Sequence, residues 1–387
     1  MALDQSSRRF LAIGVAMAAV LAGAAGGLLG VCGPFTDVAA DAFCPFVLEV
    51  FYLGITTGTT PTTYDPASNV SRLQMAAFLS RTVDGVLKRG SRRAPLQQFW
   101  TTGSDANLKL IPVPKVPREI ASDGWDLWVV SNPASRVSRV RGSDGKLLGT
   151  WNVGPVRGPV LPVRGRVFVT TDQLVMLDPT PPSSTDVANL GDDFNNSLAY
   201  DGGRIWVTGL FDPIKIVTPG PTIPWTVTTV TTGFSFPKYL LYDGANIWCV
   251  DAPGLLKLDA NGAILQTVTM AEAHRPVFDG TNIWVPNGSA SNTVTVVRAS
   301  TGAVLATLTG NGLNVPDGAA FDGQRVLVTG FQMGVSLWKA ADLSPIGNFS
   351  LDPVSPGKPF CVASDGVGFW LGLTTPAANP SDYLARF

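Results

Sequence analysis

The sequence predicts a mainly β protein: a seven-bladed β-propeller of four-stranded blades, its ring closed by an N-terminal strand, preceded by a small α-helical module. Three observations carry this. Turn-formers are abundant, with 41 Gly and 30 Pro in 387 residues, against a usual share of roughly 12%. Only 15% of residues are charged, while 45% are hydrophobic, enough for a large core. The third is a recurring phrase, Asp-Gly-x-x-apolar-Trp-apolar. It reads Asp123-Gly124…Trp128, Asp201-Gly202…Trp206, Asp243-Gly244…Trp248, Asp279-Gly280…Trp284, Asp322-Gly323…Leu327 and Asp365-Gly366…Trp370. From Asp201 onward the intervals are 42, 36, 43 and 43 residues. Between Asp123 and Asp201 lies a shorter, degenerate copy, Val163-Arg164-Gly165-Arg166-Val167-Phe168. Seven units of about 41 residues match the period of a four-stranded propeller blade.

Residues 1–31 open on Arg8 and Arg9, followed by an uncharged apolar stretch from Phe10 to Val31. This is the pattern of a signal peptide, with Ala22-Gly23-Ala24 as a cleavage option, or of an N-terminal anchor. Either reading exports the chain. Under oxidising conditions Cys32 and Cys44 are expected to form a disulfide across their short loop, the alternative being two buried thiols. Cys249 and Cys361 sit inside apolar strand patterns and read as buried, inert cysteines. No C-x-x-C spacing occurs, which excludes a zinc ribbon.

Residues 32–88 form the helical module. Asp41 is placed to cap a helix running to about Tyr52, and Gly54, Gly58 and Pro61 break the pattern. Ser71-Arg72-Leu73-Gln74 is a capping box, in which serine and glutamine side chains each satisfy the other's backbone N–H. Ala76, Phe78-Leu79, Val83 and Val86-Leu87 then fit one helical stripe, and because two short helices bury little surface the module needs a partner surface to be stable. Phe35-Thr36-Asp37-Val38, Leu53-Gly54-Ile55-Thr56 with Gly58, Tyr64-Asp65-Pro66 and Val70-Ser71-Arg72 together resemble the S-layer homology motif. The resemblance implies a cell-envelope or cell-surface location and binding of cell-wall polysaccharide, with Arg72 as the wall-binding residue. Family members combine three motifs into a three-fold unit, whereas one is present here, and Gln74 stands where the motif has Glu. The resemblance therefore implies a homotrimer, or else docking to another envelope protein. Residues 89–100, with Arg89, Arg92 and Arg93, read as a basic linker.

Residues 101–387 carry the blades. In each unit an apolar strand runs into Asp-Gly and returns, a strong hairpin signal. The aspartates are turn-formers and the recurrent Trp is core between neighbouring blades. The last unit ends one strand short, at Tyr383-Leu384-Ala385-Arg386-Phe387. The missing strand is found in front, at Leu108-Lys109-Leu110-Ile111-Pro112-Val113, so that pairing the two closes the ring. The repeats resemble the surface-layer, NHL-type and streptogramin-lyase-like propellers.

Propeller ligands sit at the mouth of the central channel. Five positions before each turn aspartate lies the start of an innermost strand, and these positions are Arg118, Asn196, Lys238, His274, Asp317 and Phe360. They form the expected ligand-binding ring, with no equivalent in the second repeat. The streptogramin-lyase resemblance implies a histidine and an acidic residue acting with magnesium, which makes His274 and Asp317 the catalytic candidates. It does not extend to a second motif histidine or to a carboxylate cluster, so no metal or cofactor is expected.

Other classes are excluded on composition. A net charge of −1 gives no footprint for nucleic acid. One histidine and three glutamates rule out a multi-histidine zinc site. No nucleophile elbow, phosphate loop or dinucleotide fingerprint occurs. The expected function is a non-catalytic recognition platform for an unidentified protein or glycan. A lyase or hydrolase centred on His274, or a structural surface-layer component, are the alternatives.

Overall fold

The computed structural model describes residues 32–88 and 109–387, apart from positions 33, 40–42, 53–54, 133, 143, 156–157, 180–181, 192–194, 210–212, 232, 332–333, 352–356, 367 and 376–381. The expected signal or anchor segment, 1–31, and the basic linker, 89–100, lie outside the described residues. Among the described residues no helix is long and apolar enough to cross a membrane. The chain divides into two compact units between Ala94 and Pro95.

In the first unit, helices Cys44–Tyr52 and Arg72–Lys88 flank an irregular segment. Cys32 and Cys44 are joined by a disulfide. Phe35 is fully buried, with the rings of Phe51 and Tyr64 at 5.0 and 5.4 Å. The Asp37 carboxylate accepts the backbone N–H groups of Tyr64 and Asp65, which pins the far end of the segment. At the second helix the Ser71 N–H donates to Gln74 Oε1 (2.8 Å) and the Gln74 N–H to Ser71 Oγ (3.2 Å), completing the capping box. Asp41, the expected cap of the first helix, lies outside the described residues. On the stripe of the second helix Ala76 is exposed and Leu79 is 60% exposed. Two short helices offer too little facing surface to cover it.

The second unit is seven four-stranded antiparallel sheets. Blade 1 comprises Pro117–Ser122, Asp126–Ser131, Arg136–Arg141 and Leu147–Asn152, and blade 2 Val160–Val163, Arg166–Thr170, Gln173–Pro179 and Pro182–Asn189. Blade 3 is Asn195–Tyr200, Ile205–Gly209, Ile214–Thr218 and Thr226–Val230; blade 4 is Tyr239–Tyr242, Ile247–Asp251, Gly254–Leu258 and Ile264–Thr269. Blade 5 is Val277–Phe278, Asn282–Asn287, Thr293–Arg298 and Val304–Leu308; blade 6 is Pro316–Phe321, Arg325–Gly330, Gly334–Lys339 and Pro345–Ser350. Blade 7 joins Lys358–Ser364, Phe369–Thr374 and Asp382–Arg386 to the N-terminal strand Lys109–Val113, pairing Lys109 with Arg386 and Val113 with Asp382. The closure is fastened at Asp382, which is almost fully buried. Its carboxylate accepts the N–H groups of Val116 and Thr375 and the Thr375 hydroxyl. Burial opposes its charge, but these donors prevail and hold the carboxyl below the ordinary range.

The core lies between blades. Second strands are buried on both faces, as in Asp126–Ser131 and Asn282–Asn287, while outermost strands such as Thr226–Val230 are largely exposed. Trp128 packs with Val160, Val167 and Val169 of blade 2, and Trp248 with Ile283 and Val285 of blade 5. The Asp-Gly turns do more than reverse the chain. Each tryptophan indole N–H donates to the turn aspartate of its own blade: Trp128 to Asp123, Trp206 to Asp201, Trp248 to Asp243, Trp284 to Asp279 and Trp370 to Asp365, at 2.7–2.9 Å. The other carboxylate oxygen takes backbone N–H groups of the turn, for example Ala245 and Asn246 on Asp243. Burial pushes the Asp123 and Asp201 carboxyls up, but the indole and backbone donors outweigh it and hold both below the usual range.

Trp248→Phe keeps an aromatic ring in the core and removes the indole donor from Asp243. The expected loss is about 1–3 kcal/mol, the cost of a charge-assisted hydrogen bond, read from urea unfolding. An unchanged midpoint would show that the indole contributes packing alone.

Candidate functional site

The channel mouth is built by a repeated irregularity in the innermost strands. In blade 1 Pro117 faces Ser131 but Glu119 faces Val130, so Arg118 is an extra residue in the ladder. Asn196, Asp317 and Phe360 are the extra residues of blades 3, 6 and 7. In blade 4 the Lys238 N–H donates to the carbonyl of Val250, the residue that Tyr239 faces. In blade 5 the His274 N–H donates to the Pro286 carbonyl, with Ala273 facing Asn287 and Val277 facing Trp284. A bulge puts two residues opposite one and re-aims a side chain. In blade 1 it turns the consecutive side chains of Arg118 and Glu119 toward the same space, where a regular strand would alternate them.

A cavity of about 300 Å³ opens at this level. Its wall includes five of the six ring residues predicted from sequence, Arg118, Asn196, His274, Asp317 and Phe360, together with Glu119, Tyr239 and Arg275. A second cavity of about 160 Å³ shares Glu119, Asn196, Tyr239 and Arg275 with it. Lys238 is not among these lining residues; its ammonium lies 4.9 Å from the Phe236 ring centroid, and Tyr239 stands in the wall. The second repeat contributes Gly158.

Charges in the mouth are paired in layers. Arg275 holds Glu119 at 3.2 Å and lies over the Tyr239 ring at 5.4 Å. Burial pushes the Glu119 carboxyl above its ordinary range, Arg275 opposing and Asp317 reinforcing the shift. Burial likewise raises the Tyr239 phenol. Arg118 stacks over Phe360 at 5.4 Å. His274 Nδ1 approaches Asp317 Oδ1 to 2.8 Å, yet neither that nitrogen nor Arg275 Nε has an aligned hydrogen-bond partner. The histidine is thus paired with the aspartate by proximity, and Arg275 Nε is left without a partner of its own.

The magnesium implied by the lyase resemblance does not fit this donor set. A hard cation takes six or more oxygens, Glu119 is engaged by Arg275, and no group of three or more candidate ligand side chains occurs among the described residues.

Glu119, Tyr239 and Arg275 were missed because each sits one residue past a predicted position, on what alternation makes the opposite face. A signal was present. Pro117, Pro237, Pro316 and Pro359 each precede a ring residue, and proline within a strand marks an edge or a bulge.

The comparisons agree with this architecture. Residues 34–76 match the S-layer homology domain. Such domains typically bind cell-wall polysaccharide, consistent with a cell-surface or S-layer-associated protein. No curated protein matches the sequence. A solved streptogramin B lyase is 15% identical, with a TM-score of 0.59 over 73% of this chain and 99% of its own. A catalytically inactive virginiamycin B lyase from Staphylococcus aureus with quinupristin is 14% identical, with a TM-score of 0.57 over 72% and 99%. Kuenenia stuttgartiensis hydrazine synthase is 17% identical, with a TM-score of 0.56 over 74% and 99%. At these identities the likeness is one of fold. The chain is therefore a seven-bladed propeller protein with an S-layer homology domain at its front.

The raised Glu119 carboxyl has a consequence for stability. From about pH 4.3, where an unfolded glutamate ionises, up to the raised folded value, the folded chain holds a proton that the unfolded chain has released. Stability therefore declines as pH rises through that window. Glu119→Gln removes the titration, so the stability of wild type relative to the variant is expected to fall there. Parallel pH profiles in urea unfolding would contradict the assignment.

Proposed function

We propose that this is an exported cell-envelope protein whose propeller serves as a non-catalytic recognition platform. Its mouth takes a polar segment of a glycan or protein, and the S-layer homology domain tethers or oligomerises the chain. The mouth geometry carries the reading: an arginine stacked on an aromatic ring, with asparagine, histidine and aspartate side chains beside it, around a small cavity. These groups suit capture of hydroxyls, carbonyls and carboxylates better than proton shuttling, because the mouth glutamate is already engaged by Arg275.

In the tether, Arg72 is exposed and is proposed to contact wall polysaccharide. One motif cannot form a three-fold groove, and Phe43, Phe46, Leu73 and Leu79 stay 72, 63, 84 and 60% exposed. Three chains supplying one domain each would cover such residues and complete the groove. The close approach of His274 to Asp317 favours one second reading, a lyase or hydrolase. Turnover abolished by His274→Ala would establish it.

The test is co-sedimentation with cell-wall sacculi. The chain from residue 32 onward is expected to sediment, while Arg72→Ala and residues 96–387 alone stay in the supernatant. Sedimentation of residues 96–387, or none of the longer chain, would overturn the tether. Light scattering is expected to give three chains per particle, and a monomeric mass would remove the homotrimer.

A further inference from the structure

A cavity of about 770 Å³ lies away from the mouth, between blades 5 and 6 at the Asp-Gly-turn end of their inner strands. Its size is within the roughly 300–1,000 Å³ of small-ligand sites. Arg298 of blade 5 and Lys339 of blade 6 stand in its wall, and among the described residues neither makes an ion pair. The other charges there are already engaged. Arg325 is held by Asp322 at 2.7 Å. The Asp279 carboxylate accepts the N–H groups of Thr281 and Asn282, the Asn282 amide and the Trp284 indole.

Asn282 points to what the cleft holds. It is 8% exposed, and its Oδ1 has no hydrogen-bond partner. The amide at the same repeat position in blade 4, Asn246, is turned the other way and donates to the Leu258 carbonyl. A buried acceptor left unpaired costs free energy that a ligand's donor would recover. Phe321 adds an apolar surface between these polar groups.

We infer that the cleft between blades 5 and 6 binds an anionic saccharide. Its carboxylate or phosphate pairs with Arg298 and Lys339, a hydroxyl donates to Asn282 Oδ1, and a C–H face of the ring rests on Phe321. Hydroxyl donors and negative charge on one compact ligand are what this wall lacks. The site is separate from the channel mouth and does not depend on what the mouth binds.

The test is calorimetric titration of the full chain with a tetrasaccharide of alternating glucuronic acid and N-acetylglucosamine. Controls are neutral chitotetraose, which lacks the charge, and tetraglutamate, which lacks the hydroxyls. The acidic tetrasaccharide is expected to bind at least about tenfold more tightly than either. Arg298→Gln with Lys339→Gln, two substitutions at the cleft's solvent-accessible wall, should raise its Kd by about tenfold or more. Arg136→Gln, which removes an exposed cation from blade 1, should leave it unchanged. Full-strength binding by the double variant, equal binding of tetraglutamate, or no saturable binding at millimolar ligand would each overturn the inference.

Discussion

An indole N–H held by the aspartate of its own blade's turn recurs in five blades, and the rest of the propeller depends on it. The turn places a carboxylate at a blade end, and the tryptophan satisfies it from within the interface to the next blade. One residue pair thus ties local chain reversal to long-range packing. A buried tryptophan needs a partner for its N–H, and a carboxylate near the core needs donors. The two exceptions support this. In blade 6, where Leu327 replaces the tryptophan, Arg325 Nε takes the Asp322 oxygen at 2.7 Å. In blade 2 both partners are absent, and Arg164 reaches the Gly202 carbonyl and the Tyr200 ring of blade 3.

With the turn end of each inner strand secured, variation concentrates at the opposite end. There Arg118 with Glu119 of blade 1 and His274 with Arg275 of blade 5 supply consecutive side chains to the cavity wall. The ring reads as arginine, asparagine, histidine, aspartate and phenylalanine over a deeper Glu119–Arg275–Tyr239 layer. The upper layer is mixed in chemistry, and the lower one is built on the Arg275–Glu119 ion pair. That division suits a fixed scaffold presenting an adaptable rim. The cleft between blades 5 and 6 is of another kind, its cations sitting where neighbouring blades part.

Most of the fold was legible in the sequence because the repeat is written in turn chemistry and hydrophobic pattern. Asp-Gly fixed the phase of each unit, and the short last unit with its spare strand at Lys109–Val113 established closure. Hydrogen-bond partners were less legible: the aspartates read as turn-formers, and nothing in spacing alone showed that Asp243 also holds Trp248. The site was legible only by half. Counting back from the turn found the bulged residues but not Glu119, Tyr239 and Arg275, since an inserted residue breaks the alternation on which facing is inferred. No pattern records that the Lys238 ammonium lies near the Phe236 ring. On the second helix of the front unit, Leu79 falls on the apolar stripe by period and stays exposed, since periodicity cannot supply the surface that would bury it.

The central claim is that the mouth is where the propeller meets its ligand. The chain has a single histidine, so its imidazole proton signals in an NMR spectrum report on the mouth without ambiguity. The most direct measurement follows those signals while soluble glycan fragments released from the cell wall, and then proteins of the envelope extract, are titrated into the full chain. The account predicts a saturable shift of the His274 signals with at least one fraction, lost when Arg118 is replaced by alanine. Saturable binding detected elsewhere on the propeller, with the His274 signals unmoved throughout, would contradict it.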